Sequence, residues 1–166
     1  SLFYGSCCSG SNKGLGGKRL FGPATTERTF LTMLFVLDTN ILVASLSSKS
    51  EEHWVIERLL YEDFELCVSH EILLEYEEVL SQKYGVQVAR DFLKALDDLP
   101  NVVKTEVHFH WYLLNDPDDN KFVDAAFSSG ASYIVSEDRD FRKLKQIEFP
   151  KLLLLRLADF KKCFKE

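Results

Sequence analysis

Asp38 closes the apolar run Leu34-Phe35-Val36-Leu37, and Asp138 comes shortly after a second such run, Tyr133-Ile134-Val135. Two more acids fall between them in sequence: Glu75, within ILLEYEEVL, and Asp119, within NDPDDNKFVDAAF. Carboxylates that share a site repel one another and raise one another's pKa, so a gathered set keeps its charge only beside a cation. Hard oxygen donors with retained water suit Mg²⁺ or Mn²⁺, while calcium asks for more ligands in a looser cage.

Each acid also has a plainer reading. Asp38 precedes Thr39 and Asn40 and suits the N-cap of a helix, a role that stabilises by about 0.5–2 kcal/mol; as a ligand it would have Thr39 and Asn40 as nearby hydrogen-bonding support. On a helical wheel Glu75 and Glu77 sit on opposite flanks of the stripe Ile72, Leu73, Tyr76, Val79 and Leu80, and periodicity does not choose between them. Asp116 followed by Pro117 has the form of an N-cap and first helical position, and Asp118 is favoured there by the helix dipole. Asp119 is harder to explain this way. Its spacing from Phe122, Val123 and Ala126 puts it on the stripe that faces the sheet, where a carboxylate costs several kcal/mol unless compensated. Asp140 suits the cap of a short helix carrying Phe141 and Leu144. Asp138 lies nearer the strand end, with Ser136 either orienting it or serving as an ordinary loop serine.

The elements that must carry these acids follow from the rhythm of the chain. Apolar runs at 34–37, 66–68, 102–103, 133–135 and 152–155 predict strands. Helical periods cover 39–46, 52–62, 70–83, 87–97 and 117–129, with shorter pieces near 141–145 and 158–164. Wholly apolar strands alternating with helices imply an α/β fold, a mostly parallel sheet of four to five strands covered on both faces. In such sheets ligands collect beyond the carboxyl ends of the strands, which is where Asp38 and Asp138 stand.

Length and composition fit one domain: 166 residues, 46% of them hydrophobic. Residues 1–32 differ, being rich in Gly, Ser and Thr, and read as a flexible leader; the only methionine, Met33, stands just ahead of the first strand, as a natural start would. The domain is then 33–166. The leader holds Lys13, Lys18, Arg19 and Arg28 against Glu27, so leaving it out takes the net charge from −6 to −9. A chain that acidic does not attract nucleic acid through its bulk field, so any such role needs a local site. The four cysteines show no CxxC and no zinc spacing, which points to a reducing, cytoplasmic setting. No apolar run is long enough to span a bilayer.

Taken in order, LDTN, then ILLEYEEVL, then DPDDNKFVDAA, then GASYIVSEDRDF resemble the PIN-domain family, and in particular the VapC-like toxin components of bacterial toxin–antitoxin systems. The likeness covers essentially all of 33–166, and four weak motifs in the right order make a specific signal. It implies a PIN-like α/β/α sandwich, with metal-binding and catalytic acids at Asp38, Glu75, Asp119 and Asp138, and supporting roles for Asn40 and Ser136. It further implies an Mg²⁺- or Mn²⁺-dependent ribonuclease acting on single-stranded or loop RNA, a small antitoxin protein as partner, and a homodimer. Backbone contacts to RNA would come from Arg139, Arg142 and Lys143, with Lys145 and Lys121 nearby. Trp54, Trp111 and Tyr112 could stack bases, packing being the alternative. His108 and His110, alternating in VHFHWY, read as strand or loop residues without a catalytic part.

Other classes compete. A PIN fold without catalysis would serve as an RNA-binding or interaction module. An aspartate-nucleophile phosphatase also places its acid after an apolar strand, but needs a second Asp where this chain has Asn40. A flap-type DNase would need an arch for which the domain leaves little room.

Overall fold

Leu34-Phe35-Val36-Leu37 has no polar side chain, and Phe35, Val36 and Leu37 are fully buried in succession. Successive strand residues point to opposite faces, so a strand buried at every step is covered on both sides. The computed structural model describes residues 33–164; the leader expected at 1–32 lies outside them. Within the described residues that strand, β1 (Leu34–Leu37), is the centre of a five-stranded sheet with β2 (Glu65–Ser69), β3 (Val102–Thr105), β4 (Tyr133–Val135) and β5 (Leu153–Leu155). The strand order is β3-β2-β1-β4-β5 and every pairing is parallel. This is the α/β sandwich that the alternation of apolar runs and helical periods predicts.

The helices are α1 (Thr39–Ser45), α2 (Trp54–Leu60), α3 (His70–Tyr84), α4 (Val86–Asp97), α5 (Asn120–Ser129) and α6 (Leu157–Lys162), with a 3-10 stretch at Asp140–Gln146. Local chemistry sets several of their ends. Ser69 caps α3, its hydroxyl accepting from the Ile72 N–H at 3.3 Å. Gly85, at φ +94°, joins α3 to α4 in a conformation that a side chain would strain. Gly130, at φ +75°, closes α5 in the left-handed region.

The structure shortens α5 relative to expectation. The helix begins at Asn120, and Asp116 caps a turn instead: its Oδ1 accepts from the Asp118 N–H at 2.9 Å. The Asn120 side chain, buried, then anchors the approach to that turn. Its Oδ1 accepts from Leu114 N–H and its Nδ2 donates to the Asp116 carbonyl, both at 2.9 Å. At the opposite end of the chain α6 returns to the core, Phe160 packing edge-on against Phe35 and Phe64.

Candidate functional site

The chain passes from β1 to its neighbour β2 and on to β3, and then returns to the far side of β1 as β4. The connections leave in opposite directions on the two sides of β1, which opens a crevice at the carboxyl ends of β1 and β4. Asp38 stands at one lip of it. It is buried at 5% exposure and caps α1, its Oδ1 accepting from the Asn40 N–H at 3.3 Å. Its other oxygen, Oδ2, accepts from the Ser136 hydroxyl at 2.6 Å. The cap and ligand readings are therefore compatible, since one oxygen serves each. Asn40 contributes through its backbone; its side chain is exposed.

Ser136 does more than an ordinary loop serine. Fully buried just beyond β4, it donates to Asp38 and accepts from the Asp138 N–H at 3.0 Å, tying the ends of the two strands together. The Asp138 carboxylate is exposed and accepts from the Asp140 N–H at 2.9 Å, so Asp140 contributes its amide to the loop.

Asp119 is half-buried in the turn ahead of α5. It does not lie on a helical stripe facing the sheet, as the periodicity predicts, because the helix starts one residue later. Its consequence survives the correction. Loss of solvent, followed by the charges of Asp116, Asp38, Asp138 and Asp140, raises its pKa to about 7. Asp38 is raised as well, first by burial, with Glu75 and Asp138 adding to it against the relief from Ser136 and Asn40. Asp38 thus feels the charges of Glu75 and Asp138, and Asp119 those of Asp38 and Asp138.

Glu75 is the flank of α3 that turns inward, and its carboxylate meets the Lys121 ammonium at 2.5 Å. The next residue along, Tyr76, is fully buried and donates its hydroxyl to the Leu37 carbonyl at 2.7 Å, immediately ahead of Asp38. Among the described residues no three His, Cys, Asp or Glu side chains stand close enough together to hold a metal ion as placed. The acids form an open ring with one ammonium in it. The donor set still fits a hard divalent ion: all oxygen, mutually repelling, and beside Thr39 Oγ1, which is buried without a hydrogen-bond partner among the described residues.

The basic candidates are spread out. Arg139 and Arg142 are exposed, and the Lys143 ammonium donates to Asn115 at 3.0 Å across the crevice mouth. Trp54 packs on Phe160 and Phe164, and Trp111 on Phe127, which removes both as free stacking platforms; Tyr112 is 73% exposed. His110 lies in a loop, one of the places its alternation predicts, and has a buried partner. Its Nδ1 lies 2.8 Å from Asp124, whose carboxylate is 1% exposed and also accepts from the Trp111 N–H at 2.9 Å. Nothing in the sequence pointed to that pair, which joins a loop to a helix.

Residues 35–140 match the family model of the PIN domain. The chain belongs to the PIN-domain family. Two solved structures share the fold. VapBC2 from Rickettsia felis, bound to a DNA fragment from its promoter, is 18% identical over 75% of this chain and 98% of that one, with a TM-score of 0.54. VapBC-1 from nontypeable Haemophilus influenzae is 14% identical over 75% and 98%, with a TM-score of 0.50. No curated protein sequence matches the chain.

Proposed function

We propose that the chain is an endoribonuclease dependent on Mg²⁺ or Mn²⁺, hydrolysing single-stranded or loop RNA as the toxin of a toxin–antitoxin pair. One arrangement carries the chemistry: Asp38 and the Asp138 amide share the Ser136 hydroxyl at adjoining strand ends, and the half-buried Asp119, raised to about 7, lies in the field of both acids. Such a ring is costly unless a cation belongs there. When bound, a divalent ion supplies Lewis-acid polarisation of the phosphate and a water of lowered pKa.

The residues of the chain do the positioning. Asp38, Asp119 and Asp138 would hold the ion, with Glu75 assisting. Ser136 fixes the first and last of these relative to each other, and Tyr76 fixes the backbone under Asp38. Lys121 keeps Glu75 neutralised and stands ready to meet a phosphate oxygen. Hydrolysis leaves a 5′-phosphate and a 3′-hydroxyl. Arg139, Arg142 and Lys143, exposed in the stretch that follows Asp138, suit the RNA backbone. The antitoxin partner and the homodimer rest on the family likeness and on the fold shared with the VapBC assemblies.

The engagement of Glu75 by Lys121 favours a second reading, an RNA-binding module without catalysis. Cleavage of end-labelled single-stranded RNA separates the two. With Mg²⁺ or Mn²⁺ the wild-type chain should cut, EDTA should stop it, and Asp38→Asn and Asp119→Asn should each abolish it. Binding without cutting in every metal would leave the module; undiminished cutting in EDTA would reject the metal mechanism.

A further inference from the structure

Lys121, the partner of Glu75, also lines a cavity of about 400 Å³ that none of the four acids enters. Glu71, His110, Tyr112, Asp118 and Lys121 face it, and the buried Asp124 closes it from behind. We propose that this cavity is a nucleobase subsite, taking an amino-bearing base of the RNA strand beside the bond that is cut. The position of that bond rests on the nuclease reading; the base-binding site itself does not.

The cavity is built rather than incidental. The buried Asp124 carboxylate accepts from the Trp111 N–H through one oxygen, and its other oxygen lies 2.8 Å from the His110 Nδ1. That contact holds the ring in place and leaves Nε2 without a hydrogen-bond partner among the described residues. Beside it, Tyr112 holds φ +51°, a left-handed conformation that is uncommon for a bulky residue, and presents an exposed ring. The two ring centroids are 6.0 Å apart with planes tilted by 45°. A base laid on Tyr112 would gain stacking that accepts any flat partner.

The charges select which part of a nucleotide enters. Glu71 and Asp118 are carboxylates at the wall, which repel phosphate and accept hydrogen bonds. Adenine, cytosine and guanine carry exocyclic amines that donate; uracil carries none. The phosphate is left outside, toward Lys121. That residue faces the cavity and also pairs with Glu75 of the acid ring, so the two places are one residue apart. A volume of this order lies within the range of small-ligand sites and suits one base with its sugar.

Neutral nucleosides test the site without metal, phosphate or cleavage. The full chain in EDTA is titrated with adenosine, cytidine, guanosine and uridine, following the ring-proton NMR signals of His110. Saturable shifts with the amino-bearing nucleosides, and weaker ones with uridine, are expected. Tyr112→Asn, which suits the left-handed backbone, should weaken them by about tenfold. Glu71→Gln, at an exposed position, should narrow the gap between cytidine and uridine. No saturable shift with any nucleoside, or equal binding by Tyr112→Asn, overturns the subsite while leaving metal-dependent cleavage intact. Shifts with N-acetylarginine amide and none with nucleosides would overturn it in favour of a partner protein's basic side chain. Nucleoside binding by a chain that never cuts RNA would uphold the subsite and sink the nuclease reading.

Discussion

Asp119 has the most to say at the scale of a residue, because its pKa of about 7 ties stability to pH. The folded chain holds a proton there that the unfolded chain, at the ordinary carboxylate value, gives up. Stability contributed in this way is present at low pH and lost as pH rises through about 7. Raised Asp38 acts in the same direction. Glu137 and Asp159, both lowered by basic partners, act in the opposite sense, but their window lies at or below the ordinary carboxylate range. Thermal unfolding in EDTA should therefore show a lower midpoint near about pH 8 than near about pH 5.5, and Asp119→Asn should flatten the difference. Added Mn²⁺ should restore the midpoint at the higher pH. Lys121 contributes a second test, since its ammonium competes with any ion for Glu75. Lys121→Met should raise Mn²⁺ affinity severalfold by calorimetric titration; unchanged affinity would show that Glu75 stands outside the ion's reach.

At the scale of elements, β1 and β4 have the bounds that their apolar runs predict, because the sheet buries both and polar residues follow each at once. β3 runs on through Lys104 and Thr105, which no apolar count includes, since pairing with Val68 and Ser69 of β2 decides it. The start of α5 was legible in kind but not in place. Asp116-Pro117 reads as a helix start, yet the Asn120 amide bonds back to Leu114 and Asp116 and turns that dipeptide into a preceding turn. Asn120→Ala leaves the buried Leu114 N–H unpaired and should cost about 1–3 kcal/mol in denaturant unfolding. Of the candidate site, the two strand-end acids followed from position alone. Glu75 against Glu77 did not, because a helical wheel is symmetrical about its stripe and only Lys121, from a distant helix, breaks the tie. The His110–Asp124 pair was hidden for the same reason: it joins a loop to a helix, and periodicity reports only neighbours on one element.

On the scale of the whole molecule, the β3-β2-β1-β4-β5 order puts the ends of β1 and β4 side by side, so that Asp38 and the Asp138 loop meet there. Among the described residues no helix is long and apolar enough to cross a membrane. The Tyr76 hydroxyl bond to Leu37 crosses this assembly from α3 to β1, and burial keeps that phenol protonated as a donor. Tyr76→Phe should lose about 1 kcal/mol of stability. In RNA cleavage it should lower kcat more than it raises KM, because strand and helix would then shift independently. With that bond in place, Asp38 and Glu75 ride on one stiff unit, Ser136 ties Asp138 to it, and Asp119 alone hangs from a turn. A cation bound there would meet a fixed jaw at three acids and a compliant one at Asp119. Discrimination between ions of different radius would fall to the pliant side, and mutations that stiffen the 116–119 turn would change which cation the crevice prefers.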